Sequence, residues 1–163
     1  MIRSLLLVAL GLPACGGGWA DVAGTIGAEP FDEVPTVYHG GPFIILADRK
    51  LDCIDVAWAE KHYNPEGFAD DSAAKDLDFV ALQFTFADGV AQMGTFSLED
   101  GDVVDSVGLV NLNSNFERHT GREGTLTITY VDGATIEGSY EVAFVDSSSA
   151  GEFQTEYCRN LTP

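Results

Sequence analysis

The sequence predicts an all-β chain: a single antiparallel β-sandwich or barrel-like domain built of meanders, with one short helix near 52–61. Apolar and polar residues alternate with a period of two over several stretches, the mark of a strand with one buried face. Asp-Gly pairs at 88–89 and 132–133 stand where two such stretches meet, and they favour tight turns. Turn signals also recur every eight to twelve residues or so, the spacing of short strands.

Ala23 to Gly27 and Phe43 to Ala47 are short strand candidates. Leu51, Ile54 and Trp58 share a helix face, Asp52 is placed to cap it, and Ala57, Ala59, Glu60 and Lys61 favour helix. Val80, Leu82, Phe84 and Phe86 alternate with Ala81, Gln83 and Thr85. Asp88-Gly89 then turns the chain into Val90 to Leu98, and Glu99-Asp100-Gly101-Asp102 turns it into Val103 to Val110, which reads as one meander. A second meander fills the last part of the chain. Leu126, Ile128 and Tyr130 alternate with threonines, and Asp132-Gly133 turns the chain into Ile136 to Phe144. Asp146 to Gly151 reads as a loop, and Phe153, Thr155 and Tyr157 lie on one face of a final strand ending at Cys158.

The start of the chain is of another kind. Arg3 precedes the apolar run Leu5 to Leu10, and Leu12-Pro13-Ala14-Cys15 follows. The run is six residues long, or about nine counted on to Pro13, against roughly 20 for a helix that crosses a bilayer, so it fits a secretory signal. Leu12, Ala14 and Cys15 resemble the lipobox of bacterial lipoproteins, with Pro13 where that family has a small or hydroxyl residue. The resemblance implies removal of a signal peptide, 1–14, and lipidation of Cys15. Gly16 rather than Asp after the cysteine implies the outer membrane. Gly16-Gly17-Gly18 reads as a tether, so that 15–20 links the lipid to a domain at 21–163.

The C-terminal half is similar to an uncharacterised all-β family of predicted lipoproteins. The residues that carry this likeness are Gly124-Thr125, Gly138-Ser139-Tyr140, Gly151-Glu152-Phe153 and Cys158, with Cys53 after an Asp-rich turn. They imply fold and location, and no activity. With Cys15 lipidated, Cys53 and Cys158 remain as an even pair in an exported chain, where disulfides persist. They are expected to be bonded, closing a loop of about 105 residues, for which chain entropy gives about 4–5 kcal/mol.

Charge narrows the partners. The 163 residues hold 26 acidic and 8 basic side chains, and every acid lies after Cys15. Such a chain repels phosphate backbones, which excludes nucleic acid. It repels anionic headgroups as well, so attachment to a membrane requires the covalent anchor.

No stretch of the chain carries a chemical motif of comparable strength. His39, His62 and His119 are read as surface residues, and no zinc-ligand spacing links them. Three acidic groups invite Ca²⁺: Asp48-Asp52-Asp55, Asp70-Asp71 with Asp76 and Asp78, and Glu99-Asp100-Asp102 with Asp105. None has EF-hand spacing, and solvated turns explain them, so neither metal nor cofactor is expected and calcium is the one weak candidate. Glu117, Arg118, His119 and Arg122 crowd what reads as a loop between strands, a candidate ligand loop or an exposed group of ion pairs. Trp58, His62, Tyr63 and Phe68 flank Asn64 to Gly67, where a sugar or peptide has aromatic surface to stack on. There is no Gly-x-Ser-x-Gly elbow and no phosphate-binding glycine loop.

The resulting expectation is a lipid-anchored cell-envelope protein, non-catalytic, acting as a structural or binding module with a protein or small-ligand partner. The alternatives are a lipocalin-like carrier of a small apolar ligand, which needs a hollow barrel, and an envelope hydrolase using loop carboxylates.

Overall fold

The computed structural model describes residues 18–56, 78–99, 104–112 and 115–161. Among the described residues, twelve strands form two six-stranded sheets packed face to face. The first sheet holds β1 (Trp19–Ile26), β2 (Glu29–Pro30), β6 (Gly94–Ser97), β9 (Glu123–Val131), β10 (Ile136–Ala143) and β11 (Ser148–Gln154), in the order β2-β1-β11-β10-β9-β6. The second holds β3 (Thr36–Gly40), β4 (Phe43–Ala47), β5 (Phe79–Phe86), β7 (Val104–Leu112), β8 (Asn115–Thr120) and β12 (Glu156–Tyr157), in the order β12-β3-β4-β5-β7-β8. All pairings are antiparallel except β12 with β3. The sheets do not close, so of the two expected architectures the chain adopts the sandwich.

The two sheets bury different amounts of surface, and their sequences differ accordingly. Strands of the first sheet alternate: Val22, Leu126, Ile128, Tyr140, Val142 and Phe153 face inward while the residues between them face solvent. The central strands of the second sheet, β4, β5 and β7, carry buried apolar residues on both faces. In β4 all five residues are buried: Ile44 and Leu46 point into the sandwich, and Phe43, Ile45 and Ala47 point away from it. The outward set joins Phe79, Ala81, Val107 and Leu109 under a second apolar layer that includes Leu51, Val56 and Leu161. A near-continuous apolar run is what a sheet covered on both sides requires. Between the sheets, Phe31, Phe84, Phe153, Leu82 and Leu126 have at most 1% of their surface exposed. Each such side chain contributes about 1.5–3 kcal/mol relative to an exposed one. Phe84 meets Tyr140 edge-on at 5.4 Å between ring centroids.

The expected hairpin at Asp132 forms. Asp132 Oδ1 accepts from the amides of Ala134 and Thr135 at 2.8 and 2.7 Å, which holds the turn between β9 and β10. Asp52 likewise caps a helical turn at 53–56, accepting from the amides of Ile54 and Asp55. The rest of the expected helix, from 57 onward, lies outside the described residues. Cys53 on that turn is bonded to Cys158, with Cα atoms 5.4 Å apart, fastening the helical turn to the C-terminal segment over the second sheet.

The structure corrects four readings of the sequence. The expected meander through 80–110 is divided: β5 and β7 are neighbours in the second sheet, while β6 crosses to the first and pairs with β9. The stretch 146–151 is not all loop, because β11 starts at Ser148. The final strand is broken at Thr155, where the chain leaves the first sheet and continues as β12 beside β3. Trp19 and Ala20, within the expected tether, already belong to β1.

Candidate binding face

The outer face of the first sheet is built from small and acidic residues. Register across four strands aligns Ala23, Ala150, Glu141 and Thr125 in one row, and Asp21, Glu152, Ser139 and Thr127 in the next. Beside the first row, two strands approach their neighbours closely. Gly124 has φ +134°, and a Cβ there would sit 1.9 Å from the Glu141 carbonyl oxygen. Gly24 has φ +141° and faces the Ser148 carbonyl in the same way. Only glycine meets both demands.

The result is a groove of about 600 Å³ at the end of the sandwich where β10 turns into β11. Ala23, Ala143, Ser148 and Ala150 form its floor, and Glu99, Glu123 and Glu141 bring carboxylates to it. Among the described residues no Lys or Arg lines it. A shallower hollow of about 240 Å³ lies at the other end of the same face, beside Trp19, Glu137, Ser139 and Glu152. The Trp19 indole is half exposed and donates its Nε1–H to Gln154 Oε1. The two hollows are centred three to four residues apart along β11, roughly 12 Å.

The residues expected to form a ligand loop are divided by the structure. Glu117, Arg118 and His119 belong to β8, an edge strand, and only Arg122 lies in the connection to β9. Successive strand residues face opposite ways, so Arg118 is on the other side from Glu117 and His119. His119 Nε2 lies 3.5 Å from a Glu117 carboxylate oxygen, and the ring stands against Gly27 and Phe144. Its Nε2 is buried without a hydrogen-bond partner, as is the Ser106 hydroxyl. This is an edge-strand contact, not a loop gathering four polar groups.

The other expected candidates fare as follows. Asp48 is hydrogen-bonded to Val80, its Oδ1 accepting from the Val80 amide at 2.8 Å, and burial pushes its pKa up. With Asp52 capping the helical turn and Asp55 Oδ2 accepting from the Asp52 amide at 3.4 Å, all three acids in that group have structural partners. Among the described residues no three His, Cys, Asp or Glu converge as metal ligands. Asp70, Asp71, Asp76, Asp100, Asp102 and the aromatic stretch from Trp58 to Phe68 lie outside the described residues.

His39, read as a surface residue, is buried. Its Nδ1 is 2.7 Å from Thr155 Oγ1, and its ring lies 5.4 Å from that of Tyr157. Desolvation lowers its pKa, against smaller upward effects of the Asp132 carboxylate and a backbone hydrogen bond to Glu156. Tyr140, also buried, shares a hydrogen bond with Ser149 Oγ at 2.8 Å, and burial raises its pKa to about 12. These titratable groups join core elements and do not line either hollow. On the second sheet, an apolar hollow bounded by Ile45, Leu51, Val56 and Phe79 measures about 20 Å³, roughly the space of one water.

Comparison with protein-family models, with curated proteins and with solved structures gives no match to this chain.

Proposed function

We propose that this chain is a lipid-anchored, non-catalytic binding module of a bacterial cell envelope, held through Cys15 at the outer membrane. The observation that carries the reading is the division of the cysteines. Cys53 and Cys158 are joined to each other, which leaves Cys15 alone, within the lipobox-like stretch Leu12 to Cys15. A disulfide between distant segments suits an exported domain.

The position of the anchor supports the binding role. Cys15 precedes Trp19, the first residue of β1, by four residues, a span of at most about 14 Å. A lipid there holds the Trp19 end of the sandwich at the membrane and turns the Glu99, Glu123 and Glu141 groove away from it. The filled space between the sheets favours a ligand on this outer face over an apolar cargo carried inside. The engagement of His39, Asp48, Asp52 and Tyr140 in structural hydrogen bonds favours binding over hydrolysis.

Fractionation of cells making the wild-type chain and Cys15→Ser tests the reading. The wild type is expected in the outer-membrane fraction and the variant in a soluble one. Equal membrane association of both rejects the anchor.

A further inference from the structure

Resting on the binding-module reading, we infer that the groove between β1, β11, β10 and β9 is the docking surface for a cationic, extended polypeptide segment of a partner protein. Charge complementarity identifies the partner. Glu99, Glu123 and Glu141 reach the groove from three separate elements, and among the described residues no Lys or Arg lines it. The carboxylates belong to an acidic chain, so their field adds to that of the whole molecule and draws positive charge toward the open face.

The shape identifies an extended segment. The floor is Ala23, Ala150 and Ser148 with the glycines at 24 and 124, so the surface is broad and shallow and contact is made along its length. Glu141 pairs with Thr125 and Glu123 with Ala143, so the two glutamates are diagonal neighbours on adjacent strands, roughly 7–8 Å apart, and Leu98 donates its amide to the Gly124 carbonyl, which sets Glu99 beside them. Alternate side chains of an extended peptide fall about 7 Å apart on one face, and flexible Lys stems take up the difference. The volume, about 600 Å³, lies within the range of binding sites, roughly 300–1,000 Å³. The proximal hollow at Trp19 lies at the end the proposed anchor holds to the membrane, so the distal groove is the surface open to a partner.

The test uses the full chain and a fluorescent peptide alternating Lys and Gly, followed by anisotropy. Glu99→Gln/Glu123→Gln/Glu141→Gln is compared with Asp21→Asn/Glu137→Gln/Glu152→Gln, which removes as many charges elsewhere on the same face. The distal triple variant is expected to weaken binding at least about tenfold, equal to about 1.4 kcal/mol, and the proximal one less than about twofold. High salt is expected to abolish the difference. Equal weakening by both variants overturns the proposal, because it means diffuse charge alone. Absence of binding to the wild type overturns it as well. So does spermine binding as tightly as the peptide, which assigns the groove to a small polycation. None of these results moves Cys15-dependent fractionation, so failure of the groove and failure of the anchored reading are told apart.

Discussion

The His39 imidazole on β3 and the Thr155 hydroxyl at the crossover between sheets share a hydrogen bond of 2.7 Å, inside the protein. Thr155 Oγ1 also takes the Ile136 amide at 2.9 Å. One hydroxyl therefore ties the second sheet to the start of β10 at the place where the chain leaves the first sheet. The imidazole is held neutral by burial, which gives the junction a pH dependence.

Because the folded pKa of His39 lies below its ordinary value of 6.5, the unfolded chain binds a proton more readily there than the folded one. The contribution of this group is complete above about pH 6.5, is lost as pH falls from there toward the folded pKa, and levels off below it. Urea midpoints of the wild type are expected to fall between pH 7.5 and 5.5, and those of His39→Gln to change less over the same interval. Parallel pH curves for the two proteins would refute this. Asp48, whose pKa is raised, acts with the opposite sign as pH rises above its ordinary 3.8, and because both proteins contain it the comparison with His39→Gln cancels its effect.

Thr155→Val removes the shared hydroxyl without changing the shape of the side chain. The Ile136 amide and His39 Nδ1 then lose a partner inside the protein. A loss of about 1–3 kcal/mol is expected from chemical denaturation. A loss under about 0.5 kcal/mol would show that the junction holds without it.

Reduction of Cys53–Cys158 frees the ends of a loop with a sequence separation of 105. Cys53→Ala/Cys158→Ala is expected to cost about 2–5 kcal/mol, read as a lower denaturation midpoint that a reducing agent does not shift further. An unchanged midpoint would mean the bond does not constrain the unfolded chain.

Two glycines separate backbone strain from mere flexibility. Gly124→Ala places a Cβ against the Glu141 carbonyl at positive φ and is expected to destabilise by about 2 kcal/mol or more. At Gly133 an added Cβ meets nothing within 4 Å, so Gly133→Ala is expected to be neutral within about 0.5 kcal/mol or slightly stabilising. Equal losses in the two variants would contradict the close approach of β9 and β10.

These junctions also mark where the sequence was legible. The β9–β10 hairpin could be read because Leu126 and Ile128 alternate with threonines and Asp132-Gly133 supplies the turn; β4 was read to its end residues because Phe43 to Ala47 is an unbroken apolar run. The crossover at Thr155 left no trace, since Phe153, Thr155 and Tyr157 keep their alternation in phase while the chain changes sheets. Strand β8 was read as loop because Glu117, Arg118, His119 and Thr120 are polar on both faces, as an edge strand permits. Strand β6 was assigned to the wrong neighbour because chain proximity favours a hairpin and only the tertiary pairing with β9 overrides it. The groove had no signal of its own. Its floor is alanine, serine and glycine, and its three glutamates come from separate elements. The Cys53–Cys158 bond, by contrast, followed from counting cysteines once Cys15 was assigned to the lipid.

The anchored module is tested most directly by mass spectrometry of the N-terminal peptide of the chain isolated from membranes. The expected peptide begins at Cys15, lacks 1–14 and carries acyl chains on its sulfur and amine. A membrane-derived chain that begins elsewhere, or an unmodified Cys15, would contradict the account.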